Sequence, residues 1–114
     1  MQRALWMLLP LALGWGLSGT AAGALTLRVA IGSPSRTKSI TVTHPAKLVT
    51  RIGKIHELAP GRWFTLDTTH AGTVELSKDA YILVGERWYP GVVEFHPVGD
   101  KLLAINLVEL ETYL

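Results

Sequence analysis

The fold is decided by residues 88–108, which read WYPGVVEFHPVGDKLLAINLV. Residues 88–95 predict one strand, and Pro-Val-Gly-Asp at 97–100 predicts a hairpin loop because proline, glycine and aspartate favour turns. Residues 101–108 then predict a long apolar strand, suited to a central place in a sheet. This stretch therefore predicts an antiparallel hairpin within a β fold.

The same pattern of short strands and turns extends back to residue 25. Leu25, Leu27, Val29 and Ile31 alternate with more polar or smaller residues, a period of two that is typical of a strand, and residues 32–35 (Gly-Ser-Pro-Ser) predict a turn. Residues 81–84 are apolar on both faces and predict a buried strand. Further strands are predicted at residues 39–43, 46–50, 55–58, 63–66 and 73–76, with a loop at 70–72.

The gaps between these predicted strands exclude a parallel α/β fold, because they are too short for helical crossovers. Turn signals recur every 8 to 12 residues or so, as in all-β proteins. The sequence therefore predicts a mainly β fold, a small antiparallel sheet, sandwich or barrel-like domain.

Residues 1–24 have the composition of an export signal. Arg3 provides a positive start, residues 4–17 are almost wholly apolar, and small residues fill positions 18–24. We predict cleavage after Ala24, with Ala22 as the second choice, because signal peptidase requires small side chains there. An uncleaved membrane anchor is the alternative, since no charge lies between Arg3 and Arg28. The predicted location is extracytoplasmic (periplasm, cell wall or secreted), with membrane contact only through the signal peptide.

Residues 25–114 would then form one small domain without cysteine. The absence of cysteine excludes disulfides, thiolate metal sites and cysteine-ligated iron–sulfur clusters. Stability is therefore expected from a sheet core, from a partner, or from chain beyond this sequence.

The charges of this domain are distributed unevenly. Residues 25–62 carry a net charge of +6, and residues 63–114 carry −5. Such asymmetry can indicate an anionic partner, here wall polymers or lipid headgroups. The favoured alternative is that the two parts lie side by side and neutralise each other. Nucleic acid is not a predicted partner, because the basic residues are not interleaved with exposed aromatic residues.

The last six residues differ from the rest of the chain. Glu109 and Glu111 come first, and Leu110, Tyr113 and Leu114 lie three and four positions apart. Acidic residues are favourable near the positive end of a helix, so this segment predicts the start of an amphipathic helix.

Residues 89–114 resemble the beginning of the SpoIID/LytB domain, the family of stage II sporulation protein D and the amidase enhancer. Tyr89 and Gly91 match the aromatic-x-Gly start of one strand, and Asn106 ends the next strand. Residues 108–114 stand where the family has a Leu-Pro-Leu-Glu-Asp-Tyr-Leu-like segment, with Glu109 for the proline and Thr112 for the aspartate. The matching residues of that segment are Leu110, Glu111, Tyr113 and Leu114. Residues 27–31 are also similar to the opening strand of the family.

The resemblance implies a role in peptidoglycan remodelling, because stage II sporulation protein D cleaves glycan strands and the amidase enhancer stimulates a wall amidase. The family's catalytic glutamate lies in a Gly-Val-Val-Pro-x-Glu-Met-like segment, expected here beyond Leu114. We therefore predict no catalytic residue in this chain, which would be non-catalytic alone, and peptidoglycan or a wall amidase as its partner. The alternatives are an exported β-rich interaction module with no lytic role, and a truncated gene product.

The residues themselves suggest little further chemistry. The position of Glu111 is explained by a first helical turn. The four histidines lack metal-ligand spacing, so neither a metal nor a cofactor is predicted. Trp63 and Trp88 are candidate glycan contacts. The favoured interpretation of both, and of Tyr89, is that they fill the sheet core, as aromatic residues often do.

Overall fold

A computed structural model describes residues 25–109, and this part of the chain contains ten strands and one short 3-10 helix at Thr68–His70. The strands are β1 (Thr26–Ser35), β2 (Lys38–Val42), β3 (Ala46–Thr50), β4 (Ile55–Leu58), β5 (Phe64–Leu66), β6 (Gly72–Glu75), β7 (Tyr81–Val84), β8 (Arg87–Pro90), β9 (Val92–Val98) and β10 (Lys101–Glu109). Residues 27–108 form one unit.

Within the described residues the strands form two sheets. The six-stranded sheet has the order β1-β10-β9-β6-β3-β4, and the four-stranded sheet has the order β5-β2-β7-β8. Strands whose register is defined pair in the antiparallel direction, for example β9 with β10 and β7 with β8. The predicted mainly β fold is confirmed, and over residues 25–109 the sheets do not close into a barrel.

The core consists of alternate residues of both sheets. Leu48, Val74, Val93, Phe95 and Leu102 come from the six-stranded sheet and are buried. The four-stranded sheet contributes Ile40, Val42, Ile82, Val84 and Leu66 to the same cluster. Because successive side chains of a strand point to opposite faces, these residues also define which positions point outward.

The chain passes from one sheet to the other at Gly91. Pro90 pairs with Tyr81 in the four-stranded sheet, whereas Val92 pairs with Glu75 and Leu107 in the six-stranded sheet. The single strand predicted at residues 88–95 is therefore wrong. Gly91 adopts φ +84°, a conformation that glycine tolerates far better than other residues, and this conformation breaks the strand into β8 and β9.

Two other predicted turns are shorter or absent. The strand β1 continues through residues 32–35, where a turn was predicted, with Gly32 at φ +65° inside the strand. At the β9–β10 hairpin the turn consists of Gly99 and Asp100 alone, because Val98 already pairs with Lys101. The composition indicated both places, but it did not show how many residues there are excluded from strand pairing.

The predicted loop at residues 70–72 is partly wrong. Residues 68–70 form the 3-10 helix, and Gly72 is the first residue of β6. Gly72 pairs with Thr50 and Phe95, and a Cβ atom at this position would collide with the backbone of Val49 and Thr50. Its role is therefore close strand packing rather than a turn.

Several predictions fall outside the described residues. These are the signal peptide at residues 1–24 with its cleavage positions Ala22 and Ala24, and residues 110–114 of the predicted C-terminal helix. Glu109, which was predicted to start that helix, is the last residue of β10. No helix within residues 25–109 is long and apolar enough to cross a membrane.

Candidate functional site

The outer side of the four-stranded sheet carries a group of aromatic and aliphatic side chains. Ile82 and Val84 are buried in the core, so Tyr81 and Leu83 point outward from β7. By the same alternation Trp63 points outward just before β5, because Phe64 and Leu66 point inward. We call the group Trp63, Tyr81, Leu83 and Trp88 the aromatic face.

Three of these residues lie in one row across the four-stranded sheet, with Leu83 and Trp88 on strands and Trp63 directly before β5. Trp88 pairs with Leu83, and Leu83 pairs with Thr41. Trp63 continues this row beyond Thr41, because the next residue, Phe64, pairs with Ile40. With neighbouring strands about 4.8 Å apart, the two tryptophans begin about 14 Å apart at opposite ends of the row.

The aromatic face is open to solvent. The exposed fractions are 60% for Trp63, 48% for Trp88 and 42% for Tyr81. The favoured interpretation that both tryptophans fill the core is therefore wrong, whereas Tyr89, on the opposite side of β8, does pack against the core. The strand predicted to be buried on both faces at residues 81–84 is buried on one face only.

Hydrogen bonds hold the backbone segments that carry the aromatic face. Thr41 Oγ1 donates to the carbonyl of Arg62 over 2.8 Å, which fixes the segment that carries Trp63. The backbone N–H of Tyr81 donates to Thr43 Oγ1 over 2.9 Å, and the N–H of Thr43 donates to the Tyr81 carbonyl over 3.0 Å. Leu83 and Trp88 are therefore positioned by the strands, and the segment that carries Trp63 is tied to β2 by the Thr41 hydrogen bond.

The aromatic face also lacks charge. The other strand positions on this side of the sheet are Ser39, Thr41, Thr65 and Pro90, all uncharged, and Thr41 among them is buried. Ser39 and Thr65 pair with each other next to the row and place exposed hydroxyl groups beside it. An open platform of aromatic rings with neighbouring hydroxyls suits a neutral ligand that has both apolar faces and hydroxyl groups.

The outer side of the six-stranded sheet is different in chemistry. His96 Nε2 donates to Glu94 Oε1 over 2.8 Å, and Arg28 Nη1 lies 3.3 Å from the same oxygen. The hydrogen bond from His96 lowers the pKa of Glu94, and attraction to Arg28 adds to this against an opposing effect of burial. Glu94 is thus held as a carboxylate, whereas a general acid for glycan cleavage needs a raised pKa.

A second carboxylate, Asp67, serves the 3-10 helix. Its side chain accepts from the backbone N–H of Thr69 over 2.9 Å, and its own N–H donates to His70 Nδ1 over 3.0 Å, forming a capping box. Hydrogen bonds from the side chain and then the backbone of Thr69 lower the pKa of Asp67. The ring of His70 packs edge-on against His56 and Phe64, with centroids 5.1 and 5.4 Å away. These contacts are sufficient to explain both histidines structurally.

Residues 25–109 contain no group of three His, Cys, Asp or Glu side chains arranged to hold a metal ion.

Two residues of the family resemblance, Gly91 and Asn106, lie where the chain changes sheets. The side-chain amide of Asn106 donates to the carbonyls of Pro90 and Val92 over 2.9 and 3.0 Å, on either side of Gly91. Asn106 is only 3% exposed, and a Cβ on Gly91 would press on the Leu107 carbonyl at 3.2 Å. Gly91 and Asn106 therefore build a corner of the fold, and Tyr89, just before it, packs against the core. Leu110, Glu111, Tyr113 and Leu114 lie outside the described residues.

Sequence reasoning missed Tyr81 and Leu83 as parts of the face. Their strand has no polar residue to show which side is outward, so alternation gave no signal. The only signal was indirect, since Ile40 and Val42 alternate with hydroxyl residues on the neighbouring β2.

No protein-family model matches the chain, and no curated protein or solved structure matches it. The SpoIID/LytB resemblance stays a prediction from the motifs.

Proposed function

We propose that this chain is an exported cell-envelope protein that binds the glycan strands of peptidoglycan through its aromatic face and does not cleave them by itself. The observation that carries the proposal is the uncharged row Trp63–Leu83–Trp88, in which the two tryptophans are exposed and Leu83 between them is half-buried. The apolar faces of sugar rings stack on indole rings, and their hydroxyls hydrogen-bond to neighbouring polar groups.

Two features of the sequence support a wall polymer as the ligand. The predicted export signal would deliver the chain to the compartment where peptidoglycan lies. The resemblance to the SpoIID/LytB family implies the same context, with cell-wall remodelling as the process and a wall amidase as a further partner. The role proposed for this chain in that process is to hold glycan.

The first test is co-sedimentation of the exported chain with purified peptidoglycan sacculi. We expect the wild-type chain to bind and the double variant Trp63→Ala, Trp88→Ala to lose most of the binding. Each single variant should weaken binding by about tenfold, because truncating a central interface tryptophan commonly costs more than about 1 kcal/mol. Val49→Ala is the matched control, since Val49 is exposed on the other sheet.

Soluble oligomers of the wall sugars distinguish glycan binding from general apolar adhesion. They should compete with sacculi, and they should change the intrinsic fluorescence of the protein. The four tryptophans are Trp6, Trp15, Trp63 and Trp88, so removal of the predicted signal would leave only the two on the aromatic face. Binding that survives the double variant, or that oligomers do not compete for, would contradict the proposal.

The proposed lack of cleavage has its own readout. Sacculi incubated with the chain should release no anhydro-muropeptides. Measurable release by this chain alone would show that a catalytic group is present after all.

A β-rich interaction module without a wall role is the second candidate, favoured by the exposed apolar side chains elsewhere on the molecule, such as Ile52 and Ile55. This candidate predicts that sacculi and sugar oligomers do not bind at all.

A further inference from the structure

The strand β1 forms an edge of the six-stranded sheet, and within residues 25–109 no strand pairs with its far side. It is ten residues long. The other three edge strands are short: β4 and β8 have four residues each and β5 has three, and β8 ends in a proline. Shortness and proline protect an edge against further pairing, and β1 has neither protection between residues 27 and 31.

A charged side chain can also protect an edge, but Arg28 is engaged elsewhere. Its guanidinium lies 3.3 Å from Glu94 on β9, which is the second strand inward from β1. The side chain is therefore directed over the outer face of the sheet, not past its edge. Between residues 27 and 31, no charged side chain therefore protects the unpaired backbone N–H and C=O groups of β1 against pairing with another strand.

The inward side of β1 is apolar and incompletely covered. Ile31 is buried in the core, so Leu27 and Val29 lie on the same side of the strand. Leu27 is only half-buried, and Val29 is 40% exposed. The rest of the molecule therefore buries Ile31 but leaves Val29 partly exposed.

We infer that β1 pairs with β1 of a second copy of this chain, antiparallel and centred on Val29. In this register Val29 faces Val29 of the second copy, and Leu27 faces its Ile31. The apolar row meets an identical apolar row, as the isologous interface of a two-fold dimer requires. On the outer side Arg28 faces Ala30, so no like charges are opposed.

This self-complementarity is the reason for choosing a second copy as the occupant. The paired segment covers only five residues of each chain, well below the size of a standard interface. The dimer is therefore expected to be weak and to depend on protein concentration.

Sedimentation equilibrium of the exported chain over a range of concentrations tests this inference. The wild-type chain should shift from monomer towards dimer as its concentration rises. Val29→Lys and Val29→Glu should each be monomeric over the same range, because each places two like charges opposite each other. An equimolar mixture of the two variants should form a dimer again. Thermal unfolding of each variant verifies that it is folded.

The matched control is Ile55→Lys, an exposed β-branched residue on β4, the opposite edge of the same sheet. It should dimerise like the wild-type chain. A wild-type chain that stays monomeric at every concentration would overturn the inference. So would a dimer that Ile55→Lys disrupts and Val29→Lys does not, or a mixture of the Val29 variants that stays monomeric. Glycan binding is proposed for the four-stranded sheet, so the outcome of the dimer test is independent of it.

Discussion

The outer sides of the two sheets differ in what their strands present to solvent. The aromatic face of the four-stranded sheet has tryptophan, tyrosine and hydroxyl side chains and no charged strand position. On the six-stranded sheet Arg28, Glu94 and His96 are joined by close contacts, and Lys47 pairs across strands with Glu57. The comparison teaches that the six-stranded sheet pairs its charged groups with one another, whereas the four-stranded sheet exposes two tryptophans and a tyrosine that a ligand can contact.

The same comparison explains the uneven charge along the chain. Arg28 and Arg36 belong to the basic part of the sequence, and their partners Glu94 and Asp100 belong to the acidic part. The fold brings these residues together, at 3.3 and 3.0 Å respectively. The interpretation that the two parts neutralise each other thus accounts for these pairs without an anionic partner.

The largest effect on stability is expected from a substitution that breaks the connection between the two sheets. Asn106→Ala removes two hydrogen bonds and leaves the half-buried carbonyls of Pro90 and Val92 without these donors. The free energy of unfolding should fall by about 2–4 kcal/mol, measured by urea denaturation. Thr73→Ala, a polar residue on the outer side of the same sheet, is the control and should cost less than about 1 kcal/mol. Equal losses would show that the corner has no special role.

A smaller effect on stability is expected from a substitution among the charged residues on the outer side of the six-stranded sheet. Because the folded pKa of Glu94 is lowered, its contribution to stability is present above the usual value of 4.5 and is lost as the pH falls through the folded pKa. Glu94→Gln should therefore destabilise the protein near neutral pH by about 0.5–1 kcal/mol and make its stability less dependent on pH below about 4.5.

Denaturation curves of Glu94→Gln and the wild-type chain between pH 7 and pH 3 measure this difference. Asp100→Asn is the control, since the pair of Arg36 and Asp100 is exposed on both sides and should contribute less than about 0.5 kcal/mol. A Glu94→Gln variant with the same pH dependence as the wild-type chain would contradict the role given to Glu94.

The smallest effect on stability is expected on the aromatic face. Trp63→Ala and Trp88→Ala should each change the free energy of unfolding by less than about 1 kcal/mol, because both side chains are about half exposed or more. Denaturation of the variants checks this. A loss of about 3–5 kcal/mol, as for a core aromatic residue, would mean that the tryptophans maintain the fold.

Much of the local structure could be predicted from the sequence. The strands at Ala46–Thr50, Ile55–Leu58 and Tyr81–Val84 have the predicted bounds, because alternation and turn residues are local signals. The pairing of β6 with both β3 and β9 is not local, and no sequence pattern showed it. The break at Gly91 was missed because the residues on both of its sides favour strands.

The candidate site was predicted only in part. Trp63 and Trp88 were identified as candidate glycan contacts, but alternation cannot show which side of a strand faces the core when both sides are apolar. Only the pairing of Trp88 with Leu83, and of Leu83 with Thr41, places the tryptophans in a single row. The family resemblance identified Asn106 as a motif residue, and its side chain stabilises the corner at Gly91.

The most direct test of the central claim is to locate the bound glycan on the protein. Soluble glycan strands would be titrated into the isotope-labelled exported chain, and backbone amide chemical shifts would be followed by NMR. We predict that the perturbed amides cluster at Thr41, Trp63, Leu83 and Trp88, with little change at Val49 and Glu94. Perturbations confined to the six-stranded sheet, or none at saturating glycan, would contradict the account.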